Sequence, residues 1–145
     1  MAQTKINKNA ARIFTAIHRR VLALSGGRFG GTSIPGGEMI VLATIGRRSG
    51  RIRERVLIGL DHPDGWAVAA SFSGHDEHPA WYLNLRDNPD ATVTAGTDHH
   101  RVQAREAEGE ERDELWARFE AHRSDYAEYQ KVTDREIPVL VLERQ

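Results

Sequence analysis

Short apolar segments follow one another along this chain at strand length, and most of the gaps between them are too short to hold a crossover. Met39-Ile40-Val41-Leu42-Ala43 is a nearly continuous apolar run and reads as a buried strand. Gly46 to Gly50 turns the chain. Ile52 to Leu60 then alternates, with Ile52, Glu54, Val56 and Ile58 on one face and Arg53, Arg55 and Leu57 on the other. His62-Pro63-Asp64-Gly65 is a second turn signal, and Trp66 to Ser71 a third strand. Ala91–Ala95, His100–Ala107 and Ile137–Leu142 complete a set of six. Strands joined by tight turns pair antiparallel, because a parallel pair needs a connection of roughly a dozen residues or more. Six of them can close into a small barrel and leave no exposed edge.

The remaining segments are helical or loop-like. Pro79 can open a short helix that carries Trp81, Tyr82 and Leu85 and stops near Asn88-Pro89. Glu110 to His122 is an acidic helix with Leu115, Trp116 and Phe119 turned inward. Near the start, Ile6, Ala10, Ile13, Ile17, Val21 and Leu24 recur every three or four residues, so residues 4–24 read as an amphipathic helix. That helix either packs on the sheet or lies on a membrane surface. The glycine-rich stretch from Ser25 to Gly37 then forms a loop. With 145 residues the chain has the size of one domain. It divides into an N-terminal helix within residues 1–27 and a barrel over 38–145. The expected class is α+β, mainly β, with an N-terminal helix and two further helices.

Composition removes several kinds of chemistry. There is no cysteine, so disulfides, thiolate metal sites and cysteine nucleophiles are excluded. No apolar run approaches the roughly 20 residues of a spanning helix, and the N-terminus lacks the apolar core of a secretory signal. A cytoplasmic protein is expected. The histidines follow no metal-ligand pattern, so no metal is expected. The net charge is only −1, yet four arginines and no acid fall between Gly46 and Arg53. This cluster is local and needs a local cause. Guanidinium forks match phosphate oxygens bidentately, and Ser49 adds a hydroxyl. The segment is therefore either a solvated basic turn or an anion site. Nucleic acid is not expected, because no aromatic side chain interleaves with the arginines.

Other candidates stay equally open on residue type alone. Trp81 and Tyr82 are core aromatics or a flat wall for a ring system. Ser71 is an ordinary strand-end serine or a hydroxyl donor to a bound ring. Tyr126 and Tyr129 would share one face of a helix, where they would either pack against the domain or cover a pocket and donate a proton.

Taken in order, these pieces resemble the deazaflavin-dependent nitroreductase family. The likeness rests on Thr44-Ile45-Gly46-Arg47-Arg48-Ser49-Gly50 with Arg53, on Ala69-Ala70-Ser71, and on the run from His78-Pro79-Ala80-Trp81-Tyr82-Leu83-Asn84 to Pro89. Tyr126-Ala127-Glu128-Tyr129-Gln130 and Arg135-Glu136-Ile137-Pro138-Val139 extend it to the C-terminus. The resemblance implies a split β-barrel of the kind that also binds flavin mononucleotide (FMN). It implies coenzyme F420, a deazaflavin with a phospholactyl-oligoglutamate tail, and hydride transfer to a quinone, activated alkene or nitroaromatic acceptor. By that likeness Arg47, Arg48, Ser49 and Arg53 hold the tail, and Val56, Leu57 and Ile58 line the ring. Ala69, Ala70 and Ser71 meet the ring edge, and Phe72 continues it where the family commonly has lysine. Ala80, Trp81, Tyr82, Leu83 and Asn84 frame the other side, and Tyr126 and Tyr129 close the substrate pocket. Ser71, Tyr126 and Tyr129 are the expected catalytic residues. A homodimer is compatible with this reading. The alternatives are the same barrel using FMN, and a non-catalytic carrier of deazaflavin or a fatty acid.

Overall fold

A computed structural model describes residues 33–71, 77–122, 125–131, 133 and 135–145. The predicted N-terminal helix, the membrane contact drawn from it, and Phe72 lie outside these residues. The elements are β1 (Ser33–Ile34), β2 (Gly37–Ile45), β3 (Ile52–His62), β4 (Gly65–Ala69), α1 (Ala80–Asp87), β5 (Asp90–Ala95), β6 (Asp98–Glu106), α2 (Gly109–His122), α3 (Asp125–Lys131) and β7 (Val139–Arg144). Six strands of five or more residues form an antiparallel barrel, as expected, with the two-residue β1 added at the edge of β2. The strand order is β1-β2-β3-β4-β7-β6-β5, and β2 pairs with β5 to close the ring.

Alternation along the strands builds two cores. Ile40, Leu42, Trp66, Val68, Val93, Val102, Leu140 and Leu142 fill the barrel, and α1 stops one end with Trp81, Tyr82 and Leu85. Odd and even positions face opposite ways. Ala67, Val139 and Val141 therefore point outward, where Leu115 and Phe119 of α2 cover them. Among the described residues, no helix is long and apolar enough to cross a membrane.

Several element bounds differ from the sequence reading, among them β2 (Gly37–Ile45) and β6 (Asp98–Glu106). The third strand ends at Ala69 rather than Ser71. Ala70 gives its N–H to the Pro138 carbonyl, and Arg135 takes the Ala70 and Ser71 carbonyls, so neither residue joins the ladder. The last strand begins at Val139 rather than Ile137, because Ile137 gives its N–H to the Gln130 side chain and Pro138 has none to give. Tyr126 and Tyr129 lie on a third helix, α3.

An ion-pair fork ties α2 to the barrel. Arg105 on β6 reaches both Glu111 oxygens, at 2.5 and 3.0 Å, and His62 Nε2 donates to Glu111 Oε2 at 3.2 Å. The Arg105 fork, aided by His62, holds the Glu111 carboxyl down at about 2, although burial pushes the other way. A carboxyl depressed in the folded state stabilises the fold above its unfolded value near 4.5, and that stability fades as pH falls towards 2. Glu111→Gln is expected to lower stability at pH 7 by about 1 kcal/mol, because the pair is a third exposed. The variant should also lose stability less steeply than the parent between pH 4.5 and 2. Urea melts across that range check it, and parallel acid limbs would count against the fork.

Candidate functional site

The hairpin between β2 and β3 is held tightly by its own backbone. Gly46 N–H donates to Arg51 O at 2.7 Å and Gly50 N–H to Gly46 O at 2.8 Å. Gly50 sits at φ +69, where a side chain would be strained. At Gly46 an added Cβ would come within 2.8 Å of Ser49 Oγ and 3.1 Å of Arg51 O, so glycine lets the loop close this far without displacing the Ser49 hydroxyl. A pin runs from the hairpin into α1. Arg47 N–H donates to Asn84 Oδ1 at 3.1 Å, and Asn84 Nδ2 donates to Thr44 Oγ1 at 3.1 Å. Asn84 is buried, and these two bonds set the orientation of its amide.

Between hairpin and helix lies a groove of about 560 Å³, lined by Arg47, Arg48, Ser49, Arg53, Arg55, Ala80, Trp81 and Asn84, with Gly46, Glu54 and Pro79. Among the described residues, none of the four guanidiniums in its wall is in an ion pair. Arg53 and Arg55 share the barrel-facing side of β3, with Thr44 and Leu42 as their cross-strand partners. Four like charges around one cavity repel one another unless an anion enters. Arg55 is absent from the predicted cofactor set, although the alternation of β3 already put it on the same face as Arg53.

Further along β3 the barrel opens. β3 and β4 share three rungs, Leu60 with Ala67, Asp61 with Trp66 and His62 with Gly65, and then diverge. Continued in that register, Ile58, Leu57 and Val56 would stand opposite Ala69, Ala70 and Ser71. Instead β4 turns to β7 and, among the described residues, β3 keeps only β2 as its neighbour along this stretch. On a strand paired on one side, alternate N–H and C=O groups face the open side. The two predicted triplets are therefore the two lips of the split. Val56 is the exposed large apolar residue there. Among the described residues, the Ser71 hydroxyl makes no hydrogen bond.

The other predicted residues are distributed around these two features. Leu57, Ala70, Tyr82 and Leu83 belong to the barrel core. Ile58, Ala69 and Tyr126 each pack against the core beneath α2. Tyr126 stands 5.2 Å from the Phe119 ring and 5.9 Å from Tyr129, edge-on to the latter. Tyr82 turns away from the groove. Its hydroxyl donates to Glu106, its ring lies 4.7 Å from His78, and it lines a separate polar cavity of about 360 Å³. Burial and the Glu106 carboxylate push its hydroxyl up to about 12. Burial, then Arg135 and Arg86, hold His78 below the usual histidine range, against the opposing pull of Glu106.

The Asn84 pin carries a prediction. Asn84→Leu removes both bonds and leaves the Thr44 hydroxyl buried, at a cost of about 1–3 kcal/mol. It also frees the hairpin, so affinity for an anionic ligand of the groove should fall. A shift in the urea midpoint together with weaker binding checks it. An unchanged midpoint would mean that the pin carries no load.

A family model described as F420H(2)-dependent quinone reductase matches residues 10–144. An F420H(2)-dependent quinone reductase of Mycobacterium tuberculosis is 31% identical over 132 residues, which cover 88% of each chain. A solved F420-H2 dependent reductase is 38% identical with a TM-score of 0.66, covering 72% of this chain and 93% of its own. A second solved chain, a domain-swapped dimer, is 33% identical with a TM-score of 0.70, covering 89% and 97%. HutZ of Vibrio cholerae shares the fold at 15% identity and a TM-score of 0.57, covering 74% and 81%. The match runs through the arginine hairpin, both lips of the split and the tyrosine helix, and on that extent the chain belongs to the F420H(2)-dependent quinone reductase family.

Proposed function

We propose that the arginine groove and the split in the barrel together hold reduced coenzyme F420, so that a quinone in contact with the split is reduced to the hydroquinone. The observation that carries this is the set of four guanidiniums in no ion pair among the described residues, beside a broken strand ladder. The donor set suits the anionic tail, because arginine forks and a hydroxyl are what phosphate and carboxylate oxygens accept from. The tight hairpin, in which Gly46 N–H bonds Arg51 O and Gly50 N–H bonds Gly46 O, holds these donors beside the groove. Open backbone groups on β3 suit the polar edge of a ring, and Trp81 gives the groove an aromatic wall.

When bound, the cofactor supplies the hydride. The chain's own residues bind, orient and exclude water. Arg47, Arg48, Arg53 and Arg55 hold charge remote from the reacting carbon, so their contacts set affinity for the cofactor rather than the height of the chemical barrier. The Ser71 hydroxyl, at the lip, donates to the ring edge or to the quinone oxygen. Ile58, Ala69 and Tyr126 give the α2 side of the split an apolar lining that keeps water out. In this reading Tyr126 or Tyr129 gives a phenolic proton to the reduced quinone. The remaining proton comes from solvent or a tyrosine, so that one hydride and one proton convert quinone to hydroquinone.

A homodimer belongs to the same reading, supported by the domain-swapped dimer among its solved relatives. Sedimentation of the purified chain tests it. The activity is tested by mixing purified protein with reduced F420 and a naphthoquinone under anaerobic conditions. Cofactor oxidation that scales with enzyme is expected. Protein that neither binds F420 nor oxidises its reduced form would overturn the proposal.

A further inference from the structure

Three parts of the proposed site end on one side chain that the reading above does not use. Arg135 Nη2 donates to Ser71 O at 2.6 Å and Nη1 to Ala70 O at 3.1 Å. Nη1 also donates to His78 Nδ1 at 3.3 Å, just ahead of α1. The Arg135 carbonyl accepts from Gln130 Nε2 at 2.8 Å, and Gln130 Oε1 accepts from Ile137 N–H at 3.0 Å. Gln130 follows Tyr129 directly on α3. One residue therefore joins a lip of the split, the approach to the groove helix and the tyrosine helix.

The bonding also assigns the histidine. A guanidinium has no acceptor, so Nδ1 of His78 must accept, and the imidazole is neutral with its proton on Nε2. The fork matters for the strand end as well. Ala70 and Ser71 sit where β4 leaves β3, and without Arg135 their carbonyls would lose these bonds. A lysine ammonium is a point donor and cannot reproduce a planar fork across two successive carbonyls.

We propose that Arg135 is the positioning residue of the hydride-transfer site, holding the Ala70–Ser71 lip, the head of α1 and the tyrosine helix in one relative arrangement. This rests on the reading that the Ser71 lip meets the cofactor ring. Arg135 then governs affinity for the ring, whereas Arg47 and Arg48 govern affinity for the tail.

The test compares Arg135→Lys and Arg135→Gln with the parent protein, using complete F420 and the deazaflavin core that lacks the tail. Both variants should weaken binding of the core and of the complete cofactor by the same factor, about tenfold for loss of the fork. The ratio of the two dissociation constants should stay at the parent value, and kcat should fall. His78, which also faces Arg86, Glu106 and Tyr82, should titrate higher in Arg135→Gln than in Arg135→Lys by NMR of the imidazole, because the lysine keeps the neighbouring positive charge whereas loss of packing would raise both alike. Arg135→Lys keeps the charge and carries the test if the glutamine variant does not fold. Variants that bind both ligands as the parent does overturn the proposal. So do variants that lose affinity for complete F420 alone, since Arg135 would then act on the tail. A parent protein that binds neither ligand overturns the underlying reading, and this inference with it.

Discussion

Replacing Arg47 and Arg48 together with alanine is expected to weaken F420 binding about a hundredfold, from two charge-assisted contacts of at least about 1.5 kcal/mol each. Both side chains line the groove and neither is in an ion pair among the described residues. Their removal leaves no acid stranded and relieves repulsion from Arg53 and Arg55. The variant should therefore melt no lower than the parent, which separates loss of the site from loss of the fold. Turnover at saturating F420 should survive, because these arginines lie away from the split. Isothermal titration and a thermal melt on one preparation check both halves. A weakening of less than about threefold would mean that the arginines face solvent in the complex as well.

The second large effect belongs to the barrel core. Trp66 is 2% exposed, donates from Nε1 to Glu38 Oε1 at 2.8 Å, and carries the Arg144 guanidinium 4.5 Å above its ring. β3 approaches it so closely that a Cβ on Gly59 would meet its Cδ1 at 3.1 Å. Trp66→Ala leaves a cavity that the closed barrel cannot collapse to fill, and is expected to cost about 3–5 kcal/mol. That is a large part of the roughly 5–15 kcal/mol available to a domain, and it should lower the melting temperature by roughly 10–20 °C. Calorimetry decides. A loss below about 1 kcal/mol would mean that Trp66 packs loosely.

What could be read from the sequence followed from local rules. The strands announced themselves by alternation and turn residues, and Phe119 and Leu115 by helical spacing. The arginine cluster was visible because its charge is local. What escaped depends on partners distant in sequence. β4 stops at Ala69 because Arg135 and Pro138, more than sixty residues later, take the next backbone groups. Trp81 and Tyr82 look interchangeable in sequence. Neighbours on a helix point about 100° apart, however, and only the docking of α1 decides that Trp81 faces the groove while Tyr82 turns to Glu106. Asn84 was named as a wall residue, and its pinning of the hairpin to α1 became visible only with the fold. The two triplets at the split were named through family resemblance. The register supplies the physical reason, since they are the rungs that β3 and β4 do not make.

The central claim is that the groove at Gly46–Gly50 holds the anionic tail of the cofactor while the split holds its ring. The most direct test is the pair of dissociation constants for complete F420 and for its tail-less deazaflavin core, measured on the parent protein and on the Arg47→Ala/Arg48→Ala variant. The account predicts that the parent strongly prefers the complete cofactor, and that the variant loses most of this preference while binding the core as well as the parent does. A variant that keeps the parent's preference would contradict it.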